Sequence, residues 1–170
     1  MDVKYINPFI NSVVHTMETM LGSSPDRLDP FIKDNGNAQG DVSGIIGFTS
    51  REIVGCIALT FPAKTAQKFY EIMIGEPTPR INEEVQDTVG ELANIVAGGA
   101  KEEFSDLGIS YHISIPTIVS GKNHRISHKD GVLVVVIPFK LQGYPFYMEV
   151  SMKLMNYPVE ARSAALAETA

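Results

Sequence analysis

Apolar residues recur at helical spacing in three segments of this chain. In residues 6–21 they are Ile6, Phe9, Ile10, Val13, Val14, Met17, Met20 and Leu21, and Gly22 follows as a stop. Residues 62–74 repeat the pattern, with Pro62 at the start, Gly75 at the end, and Phe69, Ile72 and Met73 facing the core. The longest helix is expected over 82–108. Asn82 stands at the N-cap, Glu83 and Glu84 fall in the first turn, and Gly108 provides a left-handed end. Pro79 limits how far back it reaches.

Strand patterns fill the intervals. Residues 42–49 and 52–61 read as two strands joined at Ser50-Arg51, built on Ile45, Ile46, Phe48, Ile53, Val54, Ile57 and Leu59. Gly44, Gly47 and Gly55 punctuate them, which predicts bulges or close backbone approach. Residues 31–33 read as a short edge strand between the loops 23–30 and 34–40. Residues 109–115 alternate around Tyr111, Ile113 and Ile115, and Pro116 and a segment 117–120 follow. Residues 121–129 form a polar loop or a short exposed strand. Residues 132–139 are almost continuously apolar, the pattern of a central strand buried on both faces. Gln142-Gly143 turns the chain into a last strand, 144–154. The alanine-rich tail, 156–170, is expected to fray.

This order predicts an α+β fold, mainly antiparallel sheet with long amphipathic helices packed on it. Residues 1–155 read as one domain of two halves, about 1–75 and 80–155, with 76–80 as a stiff linker. The duplication shows in element order and not in residue identities.

The helix at 82–108 has two faces. At about 100° per residue, Val85, Val89, Leu92, Val96, Ala100 and Leu107 gather on one side. Glu84, Asp87, Glu91, Asn94, Gly98, Lys101 and Ser105 gather opposite. Glu91 and Asn94, at i and i+3, are therefore neighbours on the polar stripe. Glu103 is a misfit, since its angle puts it on the apolar side. Gly98-Gly99 lies mid-helix, where each glycine costs about 1 kcal/mol relative to alanine. Ile95 stands beside Asn94 near the polar stripe. A carboxylate, an amide, an isoleucine and a missing side chain together suggest a docking surface. The plain alternatives are a solvated helix face and, for the glycines, close packing within the protein.

Composition narrows the classes. The chain has 170 residues, a net charge of −6, one cysteine and no tryptophan. A lone Cys56 excludes an internal disulfide framework and fits a reducing compartment, so cytoplasm is the expected location. No apolar run reaches the roughly 18–20 residues needed to span a bilayer, and the first residues lack a signal-peptide layout, so no membrane partner is expected. With no basic cluster, nucleic acid is not an expected partner either. There is no phosphate-binding loop, no G-x-S-x-G elbow and no two-histidine zinc helix. His124 and His128 lie four apart in a polar loop, where solvated histidines are the ordinary case. Lys122, Arg125 and Lys129 in the same loop read as a solvated turn rather than an anion site. Cys56 reads as a small strand residue rather than a nucleophile, because no histidine is near it in sequence.

GELANIVAGGAKEEF, residues 90–104, resembles the motif helix of the CheC/CheX/FliY phosphatases of bacterial chemotaxis. That pattern is a glutamate, two residues, an asparagine, and small residues about a turn later. Glu91, Asn94, Gly98 and Gly99 match it. The resemblance continues in PTIVSG at 116–121 and in the upstream order of helix, glycine-rich strands and helix, so it covers most of residues 5–154. CheC-type members carry the pair in both halves. Here Leu21 stands three residues after Glu18, so the first helix lacks it, and a single motif is the CheX pattern.

The resemblance implies a phosphatase acting on the aspartyl phosphate of a CheY-type response regulator. Asn94 would orient the attacking water and Glu91 would dock the regulator, with Ile95, Gly98, Asp87 and Lys101 as partner contacts. It implies no metal or cofactor on this chain, the divalent ion (Mg) being the regulator's, and it implies a homodimer. Two other classes stay open: a non-catalytic module that binds phosphorylated regulators, and an unrelated domain with a polar pocket away from this helix.

Overall fold

Two tight hairpins set the middle of the sheet. In the computed structural model, which describes residues 5–34, 36–128 and 132–155, β3 (Val42–Thr49) pairs antiparallel with β4 (Ile53–Phe61), and β7 (Val134–Leu141) with β8 (Tyr144–Leu154). The first turn is held by Ser50, whose Oγ accepts from the N–H groups of Glu52 and Ile53, each at 3.0 Å. The second is the two-residue turn Gln142-Gly143, with φ of 50° and 89°. Both residues have positive φ, the form whose twist suits a hairpin. β4 and β8 then pair along their length and join the hairpins.

Short strands finish the edges. β1 (Asp26–Arg27) and β2 (Phe31–Ile32) both pair with β7, and β5 (His112–Ile113) and β6 (Thr117–Ser120) both pair with β3. The strand order is β1-β7-β8-β4-β3-β5, and every pairing is antiparallel. The helices α1 (Asn7–Leu21), α2 (Ala63–Ile74) and α3 (Glu83–Asp106) complete the described elements. The expected α+β class is the observed one.

The helices share one face of the sheet. Their apolar stripes meet the inward residues Ile46, Phe48, Ile57, Leu59, Phe61, Phe146 and Met148, all buried. Two aromatic groups anchor the layer. Phe61, Phe69, Phe139 and Phe146 pack with ring centroids 5.2–5.7 Å apart. Phe9, Phe48, Phe104 and Tyr111 form the other, at 5.3–5.4 Å. Gly55 shows the close approach expected of it: a Cβ there would lie 2.1 Å from the Ser151 carbonyl oxygen and 2.6 Å from the Phe48 ring.

Several sequence expectations need correcting. The apolar run 132–139 is not the central strand, since among the described residues only the two-residue strands β1 and β2 lie outside β7. Its continuous apolarity reports two covered faces rather than a central place, with Val136, Ile137 and Phe139 all buried. Leu107 is not on the buried face of α3: it caps the helix and is 59 % exposed, while Phe104 fills the core there. The alternation through Ile115 breaks, because β5 ends at Ile113 and Ile115 stands 84 % exposed. The loop 23–30 contains β1, whose two residues are exposed and carry no apolar pattern. The tail 156–170 and Lys129 lie outside the described residues.

Candidate functional site

Local chemistry builds α3. The Asn82 side chain accepts from the Val85 N–H at 3.0 Å, and Glu83 and Glu84 occupy the first turn, where negative charge suits the helix dipole. At the other end Gly108 has φ of 77°. Its N–H donates to Ser105 O, and the Ile109 N–H donates to Phe104 O at 2.8 Å. That pair of bonds is a Schellman closure.

Neighbouring elements then brace the helix. α1 lies alongside, its Ser12 hydroxyl donating to the Val96 carbonyl at 2.8 Å. β3 lies beneath, with Gly44 close to Val89 and Ala93, and β6 flanks it, with Ile118 over Gly90. Val85, Val89, Leu92, Val96 and Ala100 are buried as the period requires, and Ala93, Ala97 and Phe104 join them. The misfit Glu103 sits at the seam with α1, where its carboxylate accepts from Asn11 Nδ2 at 3.0 Å.

What remains is one free stripe. Asp87, Glu91, Asn94 and Lys101 are exposed, and Gly98 and Ile95 are half-buried. Among the described residues, no hydrogen bond or ion pair engages the Glu91 carboxylate or the Asn94 amide. The two glycines divide. A Cβ at Gly98 would meet nothing within 4 Å, whereas one at Gly99 would lie 2.4 Å from Ser12 Oγ. Gly99 thus lets α1 and α3 close on each other, and Gly98 leaves open space beside Asn94. An amide that donates and accepts, next to a carboxylate on a braced helix, can hold one water or one cation of a partner in a set direction. The stripe is a ridge rather than a cleft. An open cleft of about 540 Å³, lined by Thr49, Arg51, Gly108 and His112 among others, lies at the far end of α3. That is roughly 20 Å along the axis from Asn94.

The opposite face of the sheet carries polar groups that sequence spacing did not join. Lys33 Nζ lies 2.7 Å from Glu149 Oε2, and both side chains are almost wholly buried. His128 Nδ1 lies 3.0 Å from Ser151 Oγ and 3.7 Å from Cys56 Sγ. A histidine is thus near Cys56 in space, though not in sequence. Burial pushes the thiol's pKa up, so Cys56 is a poor nucleophile at neutral pH. His124 bonds elsewhere, with Nε2 2.7 Å from Ser43 Oγ. Among the described residues, no group of three or more His, Cys, Asp or Glu side chains is placed to hold a metal ion. Arg125 stays in the loop, where its residue bridges Asn37.

The family model described as chemotaxis phosphatase CheX matches residues 42–140. CheY-P phosphatase CheX from Thermotoga maritima is 28 % identical over 152 residues, covering 88 % of this chain and 97 % of that protein. The crystal structure of a CheC-like superfamily protein from Shewanella sp. PV-4 superposes with a TM-score of 0.84 at 37 % identity, over 90 % of this chain and 99 % of that one. The fold is also that of the CheX subunit in a CheX–CheY–BeF3–Mg2+ complex from Borrelia burgdorferi. That comparison gives a TM-score of 0.74 at 23 % identity, over 88 % of this chain and 97 % of that chain.

Proposed function

Since the chain belongs to the CheX family of chemotaxis phosphatases, we propose that it hydrolyses the aspartyl phosphate of a CheY-type response regulator. Asn94 orients the attacking water and Glu91 docks the regulator. The observation that carries this reading is the outward stripe of α3, where Glu91 and Asn94 stand exposed one turn apart, beside the open space over Gly98.

The chemistry asks little of the enzyme. An acyl phosphate is already reactive, so no nucleophilic side chain is required. The barrier falls when a water is held in line with phosphorus and kept from wandering. The Asn94 carbonyl accepts a hydrogen bond from that water while the amide N–H₂ donates to a phosphoryl oxygen or a second water. Glu91 pairs with the lysine beside the regulator's phosphoryl group and sets the angle of approach. Asp87 and Lys101 extend the polar contact along the ridge, and Ile95 adds an apolar one. The divalent ion that neutralises phosphoryl charge, Mg in our reading, is held by the regulator. The chain works in the cytoplasm, where the regulator is, and as a homodimer.

A phosphate-release assay against each candidate CheY-type regulator tests the proposal. Asn94→Ala is expected to lose at least about a hundredfold in turnover while still binding. A variant as fast as wild type would remove Asn94 from the mechanism. Glu91→Ala is expected to weaken docking, and its remaining activity should depend less on salt than that of wild type. Stoichiometric protection of the phosphorylated regulator, without turnover, would instead support the non-catalytic binding module.

A further inference from the structure

The ridge has a second flank, on the β6 side of α3. A Cβ built at Gly90 would lie 3.0 Å from Ile118 Cδ1 and 3.9 Å from Pro116 Cβ. Residues 116–118 therefore lie directly against α3 at Gly90, one turn before Asn94. The preceding residue, Ile115, is 84 % exposed, more than any other large hydrophobic residue described.

Ile115 is held in place rather than loose. The Ser114 N–H donates to Gly47 O at 2.9 Å, the Gly47 N–H donates to Ser114 Oγ at 3.0 Å, and the Ser114 hydroxyl donates to the Ile115 carbonyl at 2.9 Å. From Thr117 onward the chain is paired to β3. An apolar side chain is thus fixed in water by bonds on both sides of it, without any packing role in its own fold. On the other flank, Ile95 lies one turn before Gly99, the residue that touches α1.

We infer that Ile115 and Ile95 are two apolar shoulders on either side of Asn94, and that the phosphorylated regulator covers both when the amide enters its site. This inference rests on the phosphatase reading above. The occupant follows from continuity: Pro116 and Ile118 lie against Gly90, next in the chain to Glu91 and one turn before Asn94, and Ile115 directly precedes Pro116. Covering the shoulders excludes bulk water around the amide, so the oriented water is the one left near phosphorus. Apolar contacts ringing a polar centre are also how a small interface gains affinity.

The test uses the full chain and steady-state phosphate release from the phosphorylated regulator. Ile115→Ser is expected to raise KM about tenfold with kcat within about twofold of wild type, and Ile115→Leu should restore most of the loss. The melting temperature should not move, because the side chain is exposed. An unchanged KM in Ile115→Ser, or a fall in kcat alone, overturns the inference. Sedimentation of both proteins supplies a further arm. If Ile115→Ser alters self-association and leaves KM alone, the flank belongs to a contact between copies and the inference is wrong. Asn94→Ala run alongside separates the two claims: full activity there sinks the phosphatase mechanism, whereas its loss with normal Ile115→Ser kinetics sinks only the shoulder.

Discussion

Adjacent glycines in α3 should respond oppositely to the same substitution. Gly98→Ala adds a methyl where nothing lies within 4 Å, so it should gain the helix-propensity difference, about 1 kcal/mol. Gly99→Ala earns the same intrinsic gain but places its methyl 2.4 Å from Ser12 Oγ and 3.4 Å from Ser12 Cβ. The hydroxyl must rotate away from Val96 O, which it meets at 2.8 Å in a buried position, or the two helices must separate. Losing that bond at a buried site costs about 1–3 kcal/mol, and overpacking costs about the same. The net effect is a loss of about 0–2 kcal/mol, so the neighbours should differ by about 1–3 kcal/mol. In a domain of this size each kcal/mol moves Tm by about 2–4 °C. Urea and thermal unfolding of both variants read this directly. Ser12→Ala removes the clashing oxygen, so Gly99→Ala with Ser12→Ala should recover most of the loss, a coupling that distant sites would not show. If Gly99→Ala is as stable as Gly98→Ala, the close α1–α3 approach is wrong. In the phosphate-release assay the order inverts for Gly98→Ala: the more stable protein should lose about tenfold in kcat/KM as its methyl meets the regulator. Undiminished activity would remove Gly98 from the docking surface.

Other consequences concern the core. Lys33→Met leaves the buried Glu149 carboxylate with His128 Nε2, 3.6 Å away, as its remaining cationic neighbour, and should cost about 2–5 kcal/mol in urea unfolding, with Glu149→Leu added restoring much of it. A Lys33→Met protein within about 1 kcal/mol of wild type would refute that pairing. The Tyr111 hydroxyl is buried without a hydrogen-bond partner among the described residues, so Tyr111→Phe should be neutral or stabilising by up to about 1 kcal/mol; a clear loss would mean an unseen partner. Burial raises the Cys56 pKa, so above about pH 8.5 the native protein holds a proton that the unfolded chain releases. Stability from this group is therefore full below that pH and is lost as pH rises through the native value, and Cys56→Ala should flatten the fall measured as pH rises above about 8.5.

How legible each feature was in the sequence depends on the range of the interaction that makes it. The helix starts and stops at Asn82, Gly22, Gly75 and Gly108 were readable because a cap is settled within a few residues. The outward stripe of Glu91 and Asn94 was readable for the same reason: a period of 3.6 needs no knowledge of what lies opposite. The misplacements came where a pattern ran past the end of its element. Leu107 keeps the angle of a core residue but stands at the cap of the helix, and Ile115 keeps the alternation but lies beyond the two residues of β5. Gly108 marks the end of α3 without saying that Leu107 turns to solvent there, and no residue type marks the end of β5, which stops where pairing with β3 gives way to the Ser114–Gly47 bonds.

Contacts across the sheet were illegible for a different reason. Cys56 and His128 lie 72 residues apart in sequence, and Lys33 and Glu149 116 apart. Only the strand order brings each pair together. Gly98 and Gly99 show both regimes side by side. The helical period alone separates their faces, since a step of about 100° turns one toward solvent and the other toward the core edge. It does not say what stands opposite Gly99, because Ser12 comes from another helix. The candidate site is thus the part of the molecule read most directly from its sequence: it faces outward, and its polar pair, Glu91 and Asn94, comes from one helix. The same geometry makes it dependent on a partner, since an exposed Asn94 has no walls of its own with which to confine a water.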